Sequence, residues 1–192
     1  MGDSIKINII YNKDFISVCG DNGSGKTTLV EKLILSNIPP EKIFVLNSSN
    51  EGSWYQYVPK NNVITPIMFT KEFFERFLLE FVSRHSDCML VLDDIDNYNI
   101  KRSEVLKSVV INARHLNIGI VITTRSLQDL PIILYRQSKY AFLSRQISQY
   151  DRIYISTMVG LENSRKLGNL DKYVFGVYSR DFTDMQFIKL SV

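Results

Sequence analysis

The sequence predicts an α/β fold in which helices cover both faces of a mostly parallel β-sheet. Two segments, 89–92 and 118–122, are short and continuously apolar, the pattern of strands that are buried on both faces. Other segments repeat their apolar residues every three or four positions, the period of an amphipathic helix. Because strands that alternate with such helices form parallel sheets, the two patterns together predict the fold class.

Nine apolar segments have the length of strands and are bounded by turn residues. The first two flank Asn12, Lys13 and Asp14, which predicts a hairpin that leads into a glycine-rich loop. The last two predict a C-terminal β-hairpin. The predicted strands are 5–11, 15–19, 42–46, 63–69, 89–92, 118–122, 140–143, 173–178 and 185–190.

Five segments are predicted to be helices. The clearest is 71–84, in which the apolar residues from Phe73 to Val82 fall on one face. The first helix begins at Lys26 and is expected to end near Ser36, because two prolines follow that cannot continue a helix. The predicted helices are 26–36, 71–84, 105–113, 127–135 and 150–161.

Length and composition limit the class of protein. The 192 residues fit a single domain, 1–192, and 45% hydrophobic residues are enough for a core. No apolar segment approaches the roughly 20 residues of a membrane span, and no secretory signal is present, so we expect a cytoplasmic protein without stable membrane insertion. Cys19 and Cys88 lie in apolar segments without metal-ligand spacing, which argues against a disulfide scaffold or a zinc site.

Charge is distributed unevenly along the chain. Residues 1–100 contain 9 Lys/Arg and 13 Asp/Glu, a balance of −4, whereas residues 101–192 contain 14 and 7, a balance of +7. Opposite charges on different parts of one chain suit head-to-tail packing of identical subunits.

The glycine-rich loop matches the complete phosphate-binding motif G-x-x-x-x-G-K-[ST]. In this motif glycines let backbone N–H groups and a helix N-terminus face a polyphosphate. We expect Lys26 to reach the β- and γ-phosphates of ATP and Thr27 to contact Mg²⁺. The position of the motif between a strand and a helix predicts a P-loop NTPase. The cofactor-binding residues predicted here are Gly20, Asp21, Asn22, Gly23, Ser24, Gly25, Lys26, Thr27 and Thr28.

Two carboxylates follow the apolar strand 89–92. Asp93 is expected to hold Mg²⁺ through water, and Asp94 to act as the general base that activates the attacking water. Acids in this position are often only a polar strand end, but the P-loop favours the functional interpretation. Asp96 is interpreted as a loop carboxylate.

The segment 112–131 narrows the family. It contains a helix that ends near Arg114, a strand, and the sequence Thr124-Arg125-Ser126 followed by Asp129-Leu130. This order resembles FtsK/HerA-type translocases and the genome-packaging ATPases of double-jelly-roll DNA viruses, and the resemblance covers roughly residues 15–145. Two departures are Thr124, where the family usually has Gln, and Asp94, where Glu is common.

The resemblance implies a polar sensor at Thr124. The residues themselves place Thr123 or Thr124 near the γ-phosphate, where a hydroxyl can detect that phosphate. Arg114 and Arg125 are candidates for a charge supplied to the nucleotide of a neighbouring subunit. The alternative for Arg114 is that it only stabilises the negative end of its helix.

An aromatic group lies in the polar loop 47–62. Trp54, Tyr55 and Tyr57, followed by Lys60, have the composition of a surface on which nucleic-acid bases stack. The alternative is that they anchor a long loop on the body of the domain.

The resemblance implies a P-loop NTPase of the RecA/ASCE type. Its function would be that of an ATP-hydrolysing motor that translocates double-stranded DNA, most simply into a viral capsid. The resemblance further implies a homo-oligomeric ring, a pentamer or hexamer, that meets a capsid vertex or portal protein in the host cytoplasm or on the virion. The alternatives are a nucleoside or nucleotide kinase and a nucleotide-gated phage assembly or secretion factor. An AAA+ motor is set aside, since it would add a helical lid where the last twenty residues here are predicted to be strands.

Overall fold

A computed structural model describes residues 7–48, 52–101, 103–146, 148–182 and 184–191. Its centre is one eight-stranded sheet with the order β3-β2-β4-β5-β1-β6-β7-β8. The first six strands in that order are parallel, and β7 and β8 pair antiparallel. The mostly parallel sheet and the C-terminal hairpin are therefore confirmed. The strands are β1 (Phe15–Cys19), β2 (Ile43–Leu46), β3 (Val63–Ile64), β4 (Cys88–Leu92), β5 (Ile118–Thr124), β6 (Tyr140–Leu143), β7 (Val174–Tyr178) and β8 (Gln186–Lys189).

Helices lie on both faces of the sheet, and polar side chains fix where several of them begin. The Thr70, Ser103 and Ser148 hydroxyls accept hydrogen bonds from backbone N–H groups three residues later, which satisfies donors that a helix leaves free. The first helix changes from α to π geometry along its length. The helices are α1 (Lys26–Leu29, continued as a π-helix over Val30–Ile34), α2 (Lys71–Arg84), α3 (Glu104–Asn112), α4 (Ile132–Gln137), α5 (Gln149–Val159) and α6 (Leu161–Leu167).

The core has two layers because the central strands are buried on both faces. Every residue of β1, β4 and β5 is buried. Leu78 of α2 and Leu134 of α4 contribute to the layer on one face, and Leu29 and Val30 of the first helix to the layer on the other. Each such side chain contributes about 1.5–3 kcal/mol by leaving water, so the two layers hold the sheet rigid beneath the site.

One predicted strand is wrong, and another is shorter than predicted. Among the described residues of 5–11, positions 7–11 form no strand; Ile7 and Ile9 pack partly buried against the core, so burial and not pairing explains their apolar character. Positions 5 and 6 lie outside the described residues. The predicted strand 63–69 ends at Ile64, and Ile67 beyond it is 99% exposed.

Two predicted helices are interrupted. Within 127–135, the Ser126 and Asp129 side chains cap a single 3-10 turn, and α4 begins only after Pro131. Within 150–161, α5 ends before Gly160, whose φ of 83° leaves the helical region and allows α6 to start in a new direction. No helix in the described ranges is long and apolar enough to cross a bilayer.

The strand order positions the site. Strand β5 lies between β4, which precedes the two acids, and β1, which precedes the P-loop. Because the carboxyl ends of parallel strands share one edge of the sheet, that edge brings Asp93, Thr123 and the P-loop together.

Candidate nucleotide site

Glycine conformation shapes the P-loop. Gly23 has a φ of 74° and Gly25 a φ of 96°, both in the left-handed region that favours glycine. Gly25 also needs space, because a Cβ there would lie 2.5 Å from Cδ1 of Tyr173. The loop can therefore curl into the N-terminus of α1, where free backbone N–H groups attract phosphate.

Lys26 is held within the loop and is only 7% exposed. Its Nζ donates to the carbonyl oxygen of Gly20 at 2.9 Å and lies 3.4 Å from Oδ1 of Asp94. The P-loop ammonium is thus already beside the carboxyl edge of β4, at the distance of an ion pair.

Asp93 is bound on both carboxylate oxygens. The Thr123 hydroxyl donates to Oδ1 at 2.7 Å, and the Trp54 indole N–H donates to Oδ2 at 3.0 Å. Asp93 is 3% exposed, and this burial raises its pKa, while the two hydrogen bonds oppose that shift. The carboxylate is therefore fixed in one orientation.

Asp94 has a strained backbone, with a φ of 44°, which costs a non-glycine residue about 1–3 kcal/mol. Its N–H donates to the Thr123 hydroxyl at 2.7 Å. Since the same hydroxyl donates to Asp93, Thr123 fixes both acids relative to each other. The Asp94 carboxylate then lies between Lys26 and Arg125, 3.4 Å from each.

Arg125 faces the same edge. Its guanidinium lies 3.4 Å from Oδ2 of Asp94 and 3.2 Å from Oδ2 of Asp96, and it donates to Oδ1 of Asn97 at 3.4 Å. Burial raises the pKa of Asp96, and the charge of Arg125 opposes that rise. Arg125 therefore lies beside the acids of its own chain, at the edge of the sheet that carries the P-loop.

These groups surround an open cavity of about 400 Å³, which we call the nucleotide cavity. Its lining includes Asp93, Asp94 and Arg125. Asp21 and Ser24 line an adjoining cavity instead, and Gly20 contributes the carbonyl that binds Lys26. The predicted cofactor-binding residues that line the nucleotide cavity are Asn22, Gly23, Gly25, Lys26, Thr27 and Thr28.

The donor set suits a metal that is shared with a substrate. In the described part of the chain, no group of three or more His, Cys, Asp or Glu side chains is arranged to hold a metal alone. The cavity does offer the Thr27 hydroxyl and the Asp93 carboxylate. Mg²⁺ keeps several waters and is usually held by one or two carboxylates together with substrate phosphates, so these residues fit it.

The structure separates two of the predicted catalytic residues from the nucleotide cavity. The Thr124 hydroxyl donates to Oδ2 of Asp129, at 3.0 Å, away from the nucleotide cavity. Of the two threonines, Thr123 is the one that contacts Asp93 and Asp94. Arg114 lies in the turn before β5, at the opposite edge of the sheet. There it lines a second cavity, the amino-edge groove, of about 410 Å³. Its charged lining residues are Lys13, Asp14, Arg114, Lys139 and Arg180.

The aromatic loop is divided between the interior and the surface. Trp54 is fully buried, whereas Tyr55 and Tyr57 are 43% and 40% exposed. The anchoring alternative therefore describes Trp54, and only the two tyrosines have the exposure that base stacking needs. The hydrogen bond from Trp54 to Asp93 joins residues 39 positions apart, and no local sequence signal points to it.

Comparison with known protein families identifies the type of the nucleotide-binding core. A family model described as an AAA domain matches residues 9–138. The prediction that excluded an AAA+ motor is therefore wrong for the nucleotide-binding core, which this match covers. Strands β7 and β8 lie beyond the matched residues. No curated protein matches the sequence.

Solved structures share the fold. The genome packaging NTPase B204 of Sulfolobus turreted icosahedral virus 2, in complex with AMP, has a TM-score of 0.77 at 18% identity, covering 95% of this chain and 100% of that chain. EssC ATPases 2 and 3 from Geobacillus thermodenitrificans reach 0.60 at 14% identity, over 91% of this chain and 38% of theirs. The cytoplasmic domain of the type VII secretion ATPase EccC from Thermomonospora curvata reaches 0.58 at 12% identity, over 92% and 23%.

Proposed function

We propose that this chain, which belongs to the AAA-domain family of P-loop ATPases, is a motor that uses Mg²⁺ and ATP to move double-stranded DNA into a viral capsid. The observation that carries the proposal is the convergence of Lys26, Asp94 and Arg125 on one open cavity. The likeness of fold to B204 over nearly the whole of both chains supports genome packaging as the task. The proposed partners are DNA, further copies of this chain, and a capsid vertex or portal protein.

Phosphate binding falls to the P-loop. The N-terminus of α1 and the Lys26 ammonium would face the β- and γ-phosphates. Lys26 now lies 3.4 Å from Asp94, so a bound γ-phosphate would compete with Asp94 for the same ammonium. Nucleotide binding would thereby release the Asp94 carboxylate for its own chemistry.

Water activation falls to Asp94. Thr27 and Asp93 would hold Mg²⁺, which neutralises charge on the phosphates when it is bound. The Asp94 carboxylate would accept a proton from the attacking water, a contribution of about 10²–10⁴ in rate. Thr123 would keep both carboxylates in register through its two hydrogen bonds of 2.7 Å.

The two arginines are proposed to act in different subunits. Arg125 lies beside Asp94 and would contact the nucleotide of its own chain. Arg114 precedes β5, whose seven residues at about 3.3 Å each separate it by roughly 20 Å from the acids. Arg114 would therefore reach only the nucleotide of a neighbour, which requires a ring whose subunits pack amino edge to carboxyl edge.

The test measures ATP hydrolysis by the assembled protein with and without linear double-stranded DNA. We expect stimulation by DNA, and DNA affinity that falls steeply with salt, since log K falls by about 0.9 per phosphate contact for each tenfold rise in salt concentration. Lys26→Ala should abolish both basal and stimulated turnover. If DNA does not change the hydrolysis rate, or if salt does not change the DNA affinity, the protein is an ATPase but not a DNA-translocating motor. A response to a small acceptor would instead indicate a kinase.

A further inference from the structure

A smaller cavity, lined in part by Asp21 and Ser24, adjoins the nucleotide cavity and has the features of a base-binding site. It has a volume of about 230 Å³ and shares Asn22, Gly23 and Tyr173 with the nucleotide cavity. Pockets for drug-sized ligands are roughly 300–1,000 Å³, so this one suits a fragment such as a single nucleobase. Its walls are mostly apolar, and its continuity with the phosphate site makes one ligand across both cavities feasible.

Tyr173 is fixed in an unusual conformation where the two cavities meet. Its φ is 63°, a strained value for an aromatic residue, and such strain is concentrated at ligand clamps and active sites. The ring lies against Gly25, and the backbone carbonyl accepts a hydrogen bond from the N–H of Leu190 at 3.0 Å. The C-terminal hairpin therefore presents this ring to the phosphate-binding loop.

Ser144 provides a second, independent observation. The residue is 2% exposed and lines the smaller cavity, and its hydroxyl has no hydrogen-bond partner among the described residues. A Cβ on Gly20 would lie 1.9 Å from the Ser144 hydroxyl, so the glycine leaves the space that this hydroxyl occupies. Buried hydroxyls are nearly always bonded, and a ligand would complete this one.

We infer that the smaller cavity binds the nucleobase of ATP, with Tyr173 as its stacking surface and Ser144 as a polar contact. Base–aromatic stacking tolerates any base, because each base has a π-face. Selection among bases then falls to the charged groups at the cavity, which are Asp21, Arg145, Asp171 and Lys172. The inference rests on the ATPase site and is independent of DNA translocation.

The experiment measures affinities by calorimetry without DNA for a non-hydrolysable ATP analogue and for inorganic tripolyphosphate, which has no base. Tyr173→Leu removes the ring but keeps an apolar side chain. It should weaken the analogue about 5- to 100-fold and change tripolyphosphate by no more than about twofold. Tyr173→Phe, the matched control, should bind both ligands as the parent does. Ser144→Ala should weaken the analogue alone, by about 2- to 10-fold.

Three results would overturn the inference. Equal losses for both ligands would mean that Tyr173 only supports Gly25, and no loss for either would place the base elsewhere. In a separate binding assay with single-stranded DNA, loss of DNA affinity in Tyr173→Leu with unchanged analogue affinity would make the cavity a DNA-base site. If Tyr173→Leu does not fold, Ser144→Ala gives the same contrast. Because DNA is absent from the calorimetry, failure of the motor proposal leaves these affinities unaffected.

Discussion

The carboxyl and amino edges of the sheet differ in how their charged side chains are paired. At the carboxyl edge, Lys26 and Arg125 both lie at ion-pair distance from Asp94, within the same chain. The charged lining of the amino-edge groove consists of four cations and one carboxylate, Asp14, which already pairs with Lys139 at 3.0 Å. The cations of the first edge are paired with carboxylates of the same chain, whereas the second edge has positive charge in excess.

The difference supports the proposal that the carboxyl edge binds the nucleotide and that the amino edge acts on a partner. A cluster whose cations are paired within the chain and whose acids are held by short hydrogen bonds keeps its geometry before the nucleotide binds. An uncompensated basic groove attracts an anion from outside the chain, either a nucleotide phosphate on another subunit or DNA. The positive balance of residues 101–192 contributes Arg114, Lys139 and Arg180 to this groove.

The largest expected effect is that of Arg114→Ala. If the amino edge completes the neighbour's site, turnover should fall about 10³- to 10⁵-fold, the range for an arginine supplied to a phosphoryl transition state. Mixing Arg114→Ala chains with Asp94→Asn chains should restore part of the activity, because some interfaces then combine an intact Arg114 with an intact Asp94. The ATPase rate is measured across mixing ratios.

The control for that experiment is Lys13→Ala, which removes another cation from the same groove. Lys13→Ala should keep most of the turnover, because the proposed role of Arg114 depends on its contact with the neighbour's nucleotide and not on the total positive charge of the groove. If no ratio of the Arg114 and Asp94 variants gives rescue, Arg114 only stabilises the end of its helix.

The two edges also differ in how far the sequence predicts them. The P-loop and the acids are contiguous motifs, so the residues of the carboxyl edge could be named in advance. The sequence alone could not decide between Thr123 and Thr124. Neighbouring residues of a strand face opposite sides of a sheet, and the sequence does not show which of those sides contacts Asp93 and Asp94. The separation of Arg114 from the P-loop was predictable in principle: it precedes a strand, whereas the P-loop follows one. The contact of Trp54 with Asp93 depends on loop packing and has no such signal.

A smaller effect is expected from Trp54→Phe, which keeps a buried ring but removes the N–H that binds Asp93. Hydrogen bonds to charged groups contribute about 1.5–3 kcal/mol, so half-maximal activity should require about 10- to 100-fold more Mg²⁺. Trp54 is the single tryptophan of the chain, and in the parent its fluorescence should change when Mg²⁺ and ATP bind.

Tyr55→Phe is the matched control, since Tyr55 lies in the same turn but is exposed. Its Mg²⁺ dependence should equal that of the parent. Equal Mg²⁺ dependence in Trp54→Phe as well would show that the indole only anchors the loop, and that the carboxyl edge is complete without it.

The smallest expected effect is that of Asp87→Asn, at the residue before β4. This substitution tests whether an ion pair at the amino edge also stabilises the fold. The carboxylate accepts hydrogen bonds from Lys42 at 2.7 Å, Tyr11 at 2.8 Å and Asn12 at 2.9 Å, and these lower its pKa to about 2. A lowered pKa stabilises the fold above the unfolded value near 3.8, and this contribution is lost as the pH falls through about 2. At neutral pH, Asp87→Asn should therefore lower Tm by about 1–3 °C.

The pH dependence separates charge from shape at this position. Melting curves of the parent and Asp87→Asn should differ most above pH 4 and should converge as the pH approaches 2, because the parent carboxylate is then protonated. Glu41→Gln, which removes an exposed carboxylate near the same edge, should show no such convergence. A Tm difference that is constant with pH would mean that the charge of Asp87 does not stabilise the fold. The left-handed backbone, with a φ of 52°, would not be its source, because asparagine tolerates that conformation equally well.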